Sequence, residues 1–423
     1  MAVSNAQPAT RFSARKEHFG LLIYDKKRAK MYVAQVDGLA DTQELVLDDG
    51  EGAEVRIDPT EINMVGNYSA PPKDALSGPT YAEIYPTMNC NERCFFCYVG
   101  DSLTYAQKGM SREVVNASIK SISESGLLTA SILGGEPFLY RDLEYLAQGV
   151  CDAGTNLSIS TNGTIRNLEL FKKLIKLYVG FNISFHSHIP EIHNKIVNNP
   201  IGYKNTVETL KFIISNTTPF YVNVSIVANY LNYKTLPDTI RFINSLGINS
   251  VSIYHAQGSG FSLSNKLSEL TFSKWVDTVK RAEALGKSLG MRVRAVTNYP
   301  FLVEKDLEFS TDLGLSRYLY GTGDGRRTVY INYDGNVYPT SYNFPDNRFL
   351  LGNIVKLSLS DMWHNSDILK TLREEPVQDQ CRKCDFFELC RGGPITNYKL
   401  AQFAKEYSRT TPNCPIYSEN TIE

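Results

Sequence analysis

The chain reads as an α/β protein, a partial (β/α)6 barrel preceded by a small β-containing module and followed by a loop-rich, cysteine-bearing one. Three observations predict this. Six apolar runs, at 81–85, 128–133, 157–161, 181–185, 221–227 and 250–254, alternate with amphipathic helical stretches. Before them, Phe19 to Tyr24 and Lys30 to Val36 flank Asp25-Lys26-Lys27-Arg28 in the outline of a hairpin. Past about residue 310 the alternation ends, and Gly321, Gly323, Gly325, Asp334-Gly335 and Asp346-Asn347 punctuate short strand-like pieces.

Taken in order, residues 1 to about 15 are polar and unpatterned, and the hairpin then opens a module that runs to residue 80. Asp48 to Asp58 is acidic and Gly-containing, and Asn67 to Pro79 carries Ser, Gly and three prolines, which suits a connection between domains. The barrel is expected over 81–310. Its first unit has both helix signals, Ser111 as a cap before Val114, Val115, Ile119 and Ile122, and Gly126 as the stop. Strands alternating with helices imply a parallel sheet with right-handed crossovers, so reactive groups should gather at the strands' C-terminal ends. The third module is expected over 311–423.

Lys+Arg 44 against Asp+Glu 45 gives a net charge of -1, with no basic run to neutralise phosphates, so nucleic acid is a poor partner. No apolar stretch is long enough to span a bilayer and no signal core opens the chain, so a cytoplasmic protein without membrane attachment is expected. Of eight cysteines, seven fall into two groups, 90/94/97 and 381/384/390/414, which reads as metal ligation rather than disulfides. The eighth, Cys151, lies among Leu143, Leu146 and Val150 at helical spacing and is expected to be buried and inert.

Cys90, Cys94 and Cys97 directly follow the first barrel strand, four and then three residues apart. A [4Fe-4S] cluster normally takes four thiolates, so three leave one iron open to an outside ligand. The alternative is structural zinc, which favours four ligands, and no fourth Cys or His stands nearby in sequence. Gly134-Gly135-Glu136-Pro137 closes the second strand: paired glycines allow close backbone approach, Glu136 offers a carboxylate to an ammonium, and Pro137 ends the ladder. Ser160-Thr161-Asn162-Gly163 ends the third strand, and Ser184 lies on the fourth. The two-residue period puts Ser184, His186 and His188 on one face, which makes His186 and His188 the candidate catalytic side chains, with packing as their alternative role.

These motifs resemble the radical S-adenosylmethionine (SAM) superfamily, whose signature is CxxxCxxC with an aromatic before the last cysteine, here Phe96. The resemblance covers residues 81 to 423. It implies a SAM-binding [4Fe-4S] cluster on Cys90, Cys94 and Cys97, with SAM held by Gly134, Gly135, Glu136, Pro137, Ser160, Thr161, Asn162 and Ser184. Phe185-His186 departs from the family, which more often shows Asp-Gly there.

Cys381-x2-Cys384-x5-Cys390 with Cys414 permits, by spacing alone, four-thiolate zinc or a second iron-sulfur cluster. Here the chain resembles the SPASM extension, with Gly335-Asn336-Val337-Tyr338-Pro339 and Leu351-Gly352-Asn353-Ile354 as landmarks. Thr340, Leu357 and Pro394 stand where a full SPASM module has thiols, so the resemblance implies one closed auxiliary [4Fe-4S] cluster on Cys381, Cys384, Cys390 and Cys414 in a trimmed, Twitch-like module. It further implies a 5'-deoxyadenosyl radical, a reductant such as flavodoxin or ferredoxin, and a ribosomally made precursor peptide as substrate. Phe19 to Asp25 resembles the opening hairpin of the recognition element (RRE) that binds leader peptides, although residues 36–66 show weak helical periodicity for the rest of it. A folded protein or small molecule as substrate, and a non-catalytic zinc protein, are the alternatives.

Overall fold

The structure, a computed structural model, describes residues 10–36, 39, 44–48, 54–66, 75–104, 109–256, 260–265, 270–297, 323–373 and 383–385. The N-terminal part is a sheet. Strands β1 (Phe12–Glu17), β2 (Gly20–Asp25) and β3 (Lys30–Ala34) form an antiparallel meander; the hairpin of β4 (Leu45–Asp48) and β5 (Glu54–Ile57) stands beside it, and β6 (Ile62–Met64) pairs parallel with β1. Between residues 10 and 66 the described residues otherwise form only a 3-10 turn, Pro59–Glu61, so no helical portion of a leader-recognition element is seen among them.

The predicted hairpin is β2–β3, but β1 begins inside the stretch read as unpatterned. Its alternation is hidden because both faces are buried: Phe12 and Ala14 enter the module's core while Ser13, Arg15 and Glu17 face the rest of the chain. Arg15 pairs with Glu17 at 2.7 Å and donates to the carbonyls of Pro79 (2.7 Å) and Gly78 (2.8 Å). A buried cation of this kind is tolerated because its donors are satisfied. Residues 75–80 are thus a strap gripped from both sides, for Trp363 donates to the Leu76 carbonyl at 2.7 Å.

All six predicted barrel strands form: β7 (Tyr81–Ile84), β8 (Thr129–Ile132), β9 (Asn156–Thr161), β10 (Gly180–Ser184), β11 (Val222–Ala228) and β12 (Ser250–His255), paired parallel in sequence order. A seventh, β13 (Arg292–Val296), extends them beyond the expected count. On the other side, β14 (Thr328–Ile331) joins β7 in parallel, followed by antiparallel β15 (Asn336–Tyr338) and β16 (Gly352–Asn353), so the C-terminal part continues the barrel sheet.

Ile84, Ile132, Ile159, Ile183, Val224 and Ile253 are fully buried against an outer layer of helices: α1 (Arg112–Glu124), α2 (Leu143–Asp152), α3 (Leu168–Lys176), α4 (Pro190–Val197), α5 (Gly202–Asn216), α6 (Leu236–Ser245) and α8 (Phe272–Ser288), while the single turn α7 (Phe261–Ser264) lies against the cysteine loop. Two more, α9 (Leu359–Asn365) and α10 (Asp367–Arg373), follow β16. Ser111 caps α1 as predicted, accepting from Val114 N–H at 3.2 Å. Cys151, expected to be buried, is half-buried and packed against the core, and desolvation pushes its thiol up to about 12.

Candidate active site

The loop after β7 carries Cys90, Cys94 and Cys97, all free thiols. It is held in place by its backbone. Arg93 N–H donates to Val197 O and Phe95 N–H to Ile196 O at the end of α4, both at 3.2 Å, and the Cys97 carbonyl accepts from Phe261 N–H at 2.9 Å. Burial raises the thiols, Cys90 to about 12 and Cys97 to about 11, so they stay protonated unless cations lie among them. Among the described residues no group of three His, Cys, Asp or Glu side chains is placed to hold a single metal ion.

Gly134 and Gly135 meet this loop. A Cβ on Gly134 would lie 2.5 Å from Thr87 O, and one on Gly135 2.2 Å from Asn89 O, while Gly135 N–H and Glu136 N–H bond those two carbonyls at 3.0 and 2.8 Å. Their freedom from side chains therefore serves backbone-on-backbone packing under the cysteines, where the sequence suggested close approach to a ligand. Glu136 is buried and accepts from Thr161 Oγ1 (2.7 Å), Phe138 N–H (3.0 Å) and Asn162 N–H (2.8 Å). Burial pushes its carboxyl up to about 6, against the pull of those donors. Three of about four acceptor positions are filled within the protein. Pro137 begins the short turn Pro137–Leu139.

Thr161 and Asn162 are likewise engaged. Asn162 Nδ2 donates to Asn91 Oδ1 at 2.9 Å, tying β9 to the cysteine loop, and its Oδ1 accepts from Thr164 N–H at the same distance. Ser160 and Ser184 face a cavity of about 990 Å³ that runs through the barrel interior from the cysteine loop, at Phe96 and Tyr98, to Tyr24 and Lys26 of the N-terminal sheet. The motif therefore divides: Ser160 and Ser184 face open space, while Thr161 and Asn162 hold loops.

His186 also lines the cavity, its ring edge-on to Phe96 at 4.9 Å. Its Nδ1 accepts from Val227 N–H at 3.3 Å, which leaves the proton on Nε2, and burial holds its pKa well below the ordinary value. It is a neutral donor. His188 lies elsewhere, beyond the end of β10, with Nδ1 3.0 Å from Thr239 Oγ1 on α6, and is not among the cavity-lining residues. The period-two reading fails there because the strand stops at Ser184.

Beyond the predicted Ser160, two groups of inward polar residues were not anticipated. Glu83 on β7 accepts from Ser341, and burial pushes it up to about 7. On β9 to β13, inward Ser160, Asn182, Asn223, Ser252 and Arg294 form a hydrogen-bonded belt. The signal was present in Asn223-Val-Ser225, Ser250-Val-Ser252 and Arg292-Val-Arg294, because central parallel strands buried on both faces read as continuous apolar runs. Strict alternation there marks a wet interior.

Residues 84–243 match the family model of the Radical SAM superfamily, and residues 323–385 match that of the SPASM iron-sulfur cluster-binding domain. The chain belongs to the radical SAM superfamily. Similar proteins include the AdoMet-dependent heme synthase of Methanosarcina barkeri, 20% identical over 78% of this chain and 94% of that one. The antilisterial bacteriocin subtilosin biosynthesis protein AlbA of Bacillus subtilis is 25% identical over 74% of this chain and 67% of that one. The crystal structure of Streptococcus suis SuiB bound to S-adenosylmethionine shares the fold, with TM-score 0.68 and 16% identity over 93% of this chain and 95% of that one. SuiB is also known bound to its precursor peptide SuiA.

As a radical SAM enzyme with a SPASM segment, the protein uses SAM, a [4Fe-4S] cluster and auxiliary iron-sulfur chemistry. In the SPASM segment Thr340 is buried and Leu357 exposed, and Cys384 is partly exposed. Cys381, Cys390, Cys414 and Pro394 lie outside the described residues. Among the described residues no helix is long and apolar enough to cross a membrane.

Proposed function

We propose that this radical SAM enzyme is a maturase that modifies a ribosomally synthesised precursor peptide. The observation that carries the reading is the cavity of about 990 Å³ beside the cysteine loop, a volume large enough for several residues of an extended peptide and lined by polar side chains able to meet its amides. Likeness to AlbA, and to SuiB with its peptide complex, supports it. Cys90, Cys94 and Cys97 hold the SAM-binding cluster, and Gly134 to Pro137 with Ser160, Thr161, Asn162 and Ser184 frame SAM. When bound, these cofactors supply a 5'-deoxyadenosyl radical that takes a substrate hydrogen atom.

The chain's own residues do the rest. The barrel wall excludes solvent, the neutral His186 offers Nε2–H to a substrate carbonyl, and the loop bonds of Glu136 and Asn162 fix the cysteine loop. Cys381, Cys384, Cys390 and Cys414 hold one auxiliary [4Fe-4S] cluster, and electrons come from a flavodoxin or ferredoxin. The chain divides at about residues 80 and 310, and β3, at one edge of the N-terminal sheet, would take a leader peptide as an added strand.

The test is to incubate the anaerobically reconstituted enzyme, reductant and SAM with the short peptide encoded beside its gene, then read the product mass. Loss of two hydrogens indicates crosslinking or dehydrogenation, and unchanged mass with deuterium uptake indicates epimerisation. Unmodified peptide would overturn the reading. Similarity over nearly the whole heme synthase favours a second one, a small-molecule substrate.

A further inference from the structure

The belt on β9 to β13 can be read atom by atom. Asn182 Oδ1 accepts from Asn223 Nδ2 (2.5 Å) and from Ser225 Oγ (2.6 Å). Asn223 Oδ1 accepts from Ser250 Oγ (2.9 Å) and Ser252 Oγ (3.2 Å). Both amide oxygens are therefore saturated. Their orientations are mutually fixed, since turning Asn223 over would set its oxygen against that of Asn182. Each amide nitrogen has donated once, Asn182 to Ser160 Oγ at 3.2 Å and Asn223 to Asn182, so each keeps one N–H.

At the belt's end Arg294 donates from Nε to Ser252 Oγ at 2.8 Å. It is exposed, lines the cavity, and among the described residues has no carboxylate partner. Arg292, two residues earlier on the same face, lines the cavity too, and Glu83 sits across from them on β7, engaged by Ser341. A wall whose amide oxygens are consumed, and which keeps two amide N–H groups and a guanidinium beside its hydroxyls, suits an acceptor carrying negative charge.

We propose that this wall is a carboxylate-binding site, in which Arg294 holds a substrate carboxylate and Asn182 and Asn223 orient it. The site deepens the maturase reading by naming an acidic side chain or free C-terminus as what the enzyme recognises. It stands independently as chemistry, because a small carboxylic acid would be held by the same donors.

The test titrates the anaerobically reconstituted full-length enzyme with acetyl-hexaglutamate amide and its isostere acetyl-hexaglutamine amide, and separately with glutarate and glutaramide. The acidic member of at least one pair is expected to bind about tenfold tighter or more, Arg294→Gln to erase that preference, and Arg294→Lys to keep part of it. Thermal melting of both variants confirms that they are folded, and Ser252→Ala, which frees the guanidinium, is expected to weaken the preference. Preference in the peptide pair places the carboxylate on a peptide. Preference for glutarate alone keeps the site and removes the peptide reading. No preference in either pair, or one that survives Arg294→Gln, overturns the proposal.

Discussion

At the C-terminal ends of β8 and β9 the polar groups hold the chain's own loops, Glu136 gripping Phe138, Thr161 and Asn162, and Asn162 gripping Asn91. On the β10–β13 side the polar groups hold one another, and what they leave over faces open space. The difference separates two tasks. A cofactor of fixed shape is served by rigid, fully bonded backbone, whereas substrate discrimination is served by side chains with donors in reserve.

The most severe break of the first side is Cys94→Ala, expected to abolish 5'-deoxyadenosine formation and the visible absorbance of the SAM-binding cluster; turnover surviving it would remove the basis of the cofactor assignment. Next comes Glu136→Ala, which leaves three buried donors without their acceptor and should cost about 4 kcal/mol in denaturant melts. Gly135→Ala should cost about 3 kcal/mol, because its Cβ would press on Asn89 O. In the belt, Ser225→Ala removes one bond to an oxygen that keeps another, and about 1 kcal/mol is expected. Equal losses on the two sides would erase the contrast.

Glu83 belongs to neither pattern and sharpens it through pH. Burial lifts it from 4.5 to about 7, so between those values the folded protein keeps a proton that the unfolded chain has released. Its stabilising effect is full below the unfolded value and is lost as pH rises through about 7. Glu83→Gln, always neutral, should therefore gain melting temperature relative to the parent as pH is raised from about 5 to about 8. A constant offset would count against a proton held there. The smallest effect is expected from His188→Ala, whose ring lies outside the cavity: product formation within about twofold of the parent, compared with a clear loss for His186→Ala.

Much of this was legible in the sequence. The six core strands announced themselves because Ile84, Ile132, Ile159, Ile183, Val224 and Ile253 are buried under helices, and burial selects apolar residues whatever the function. The cysteine loop and Gly134 to Pro137 were legible as patterns, but not the partners of Glu136, since Thr161 and Asn162 come from another strand. Strand β13 escaped because Arg292 and Arg294 interrupt its apolar residues, and β1 because Arg15 and Glu17 hide a buried face behind charge. In both, a polar residue faces inward for a reason that lies on a distant segment.

Tyr24 and Lys26, from the N-terminal sheet, close the lower end of the cavity, and Arg15 anchors that sheet to the strap and to α1's end. Truncating the first 80 residues would thus open the reaction chamber from beneath as well as discard a prospective docking strand. Lost turnover after such a deletion would say nothing about leader binding; point changes on β3 beyond Met31, which pairs with Tyr24 at the chamber floor, are the informative surgery.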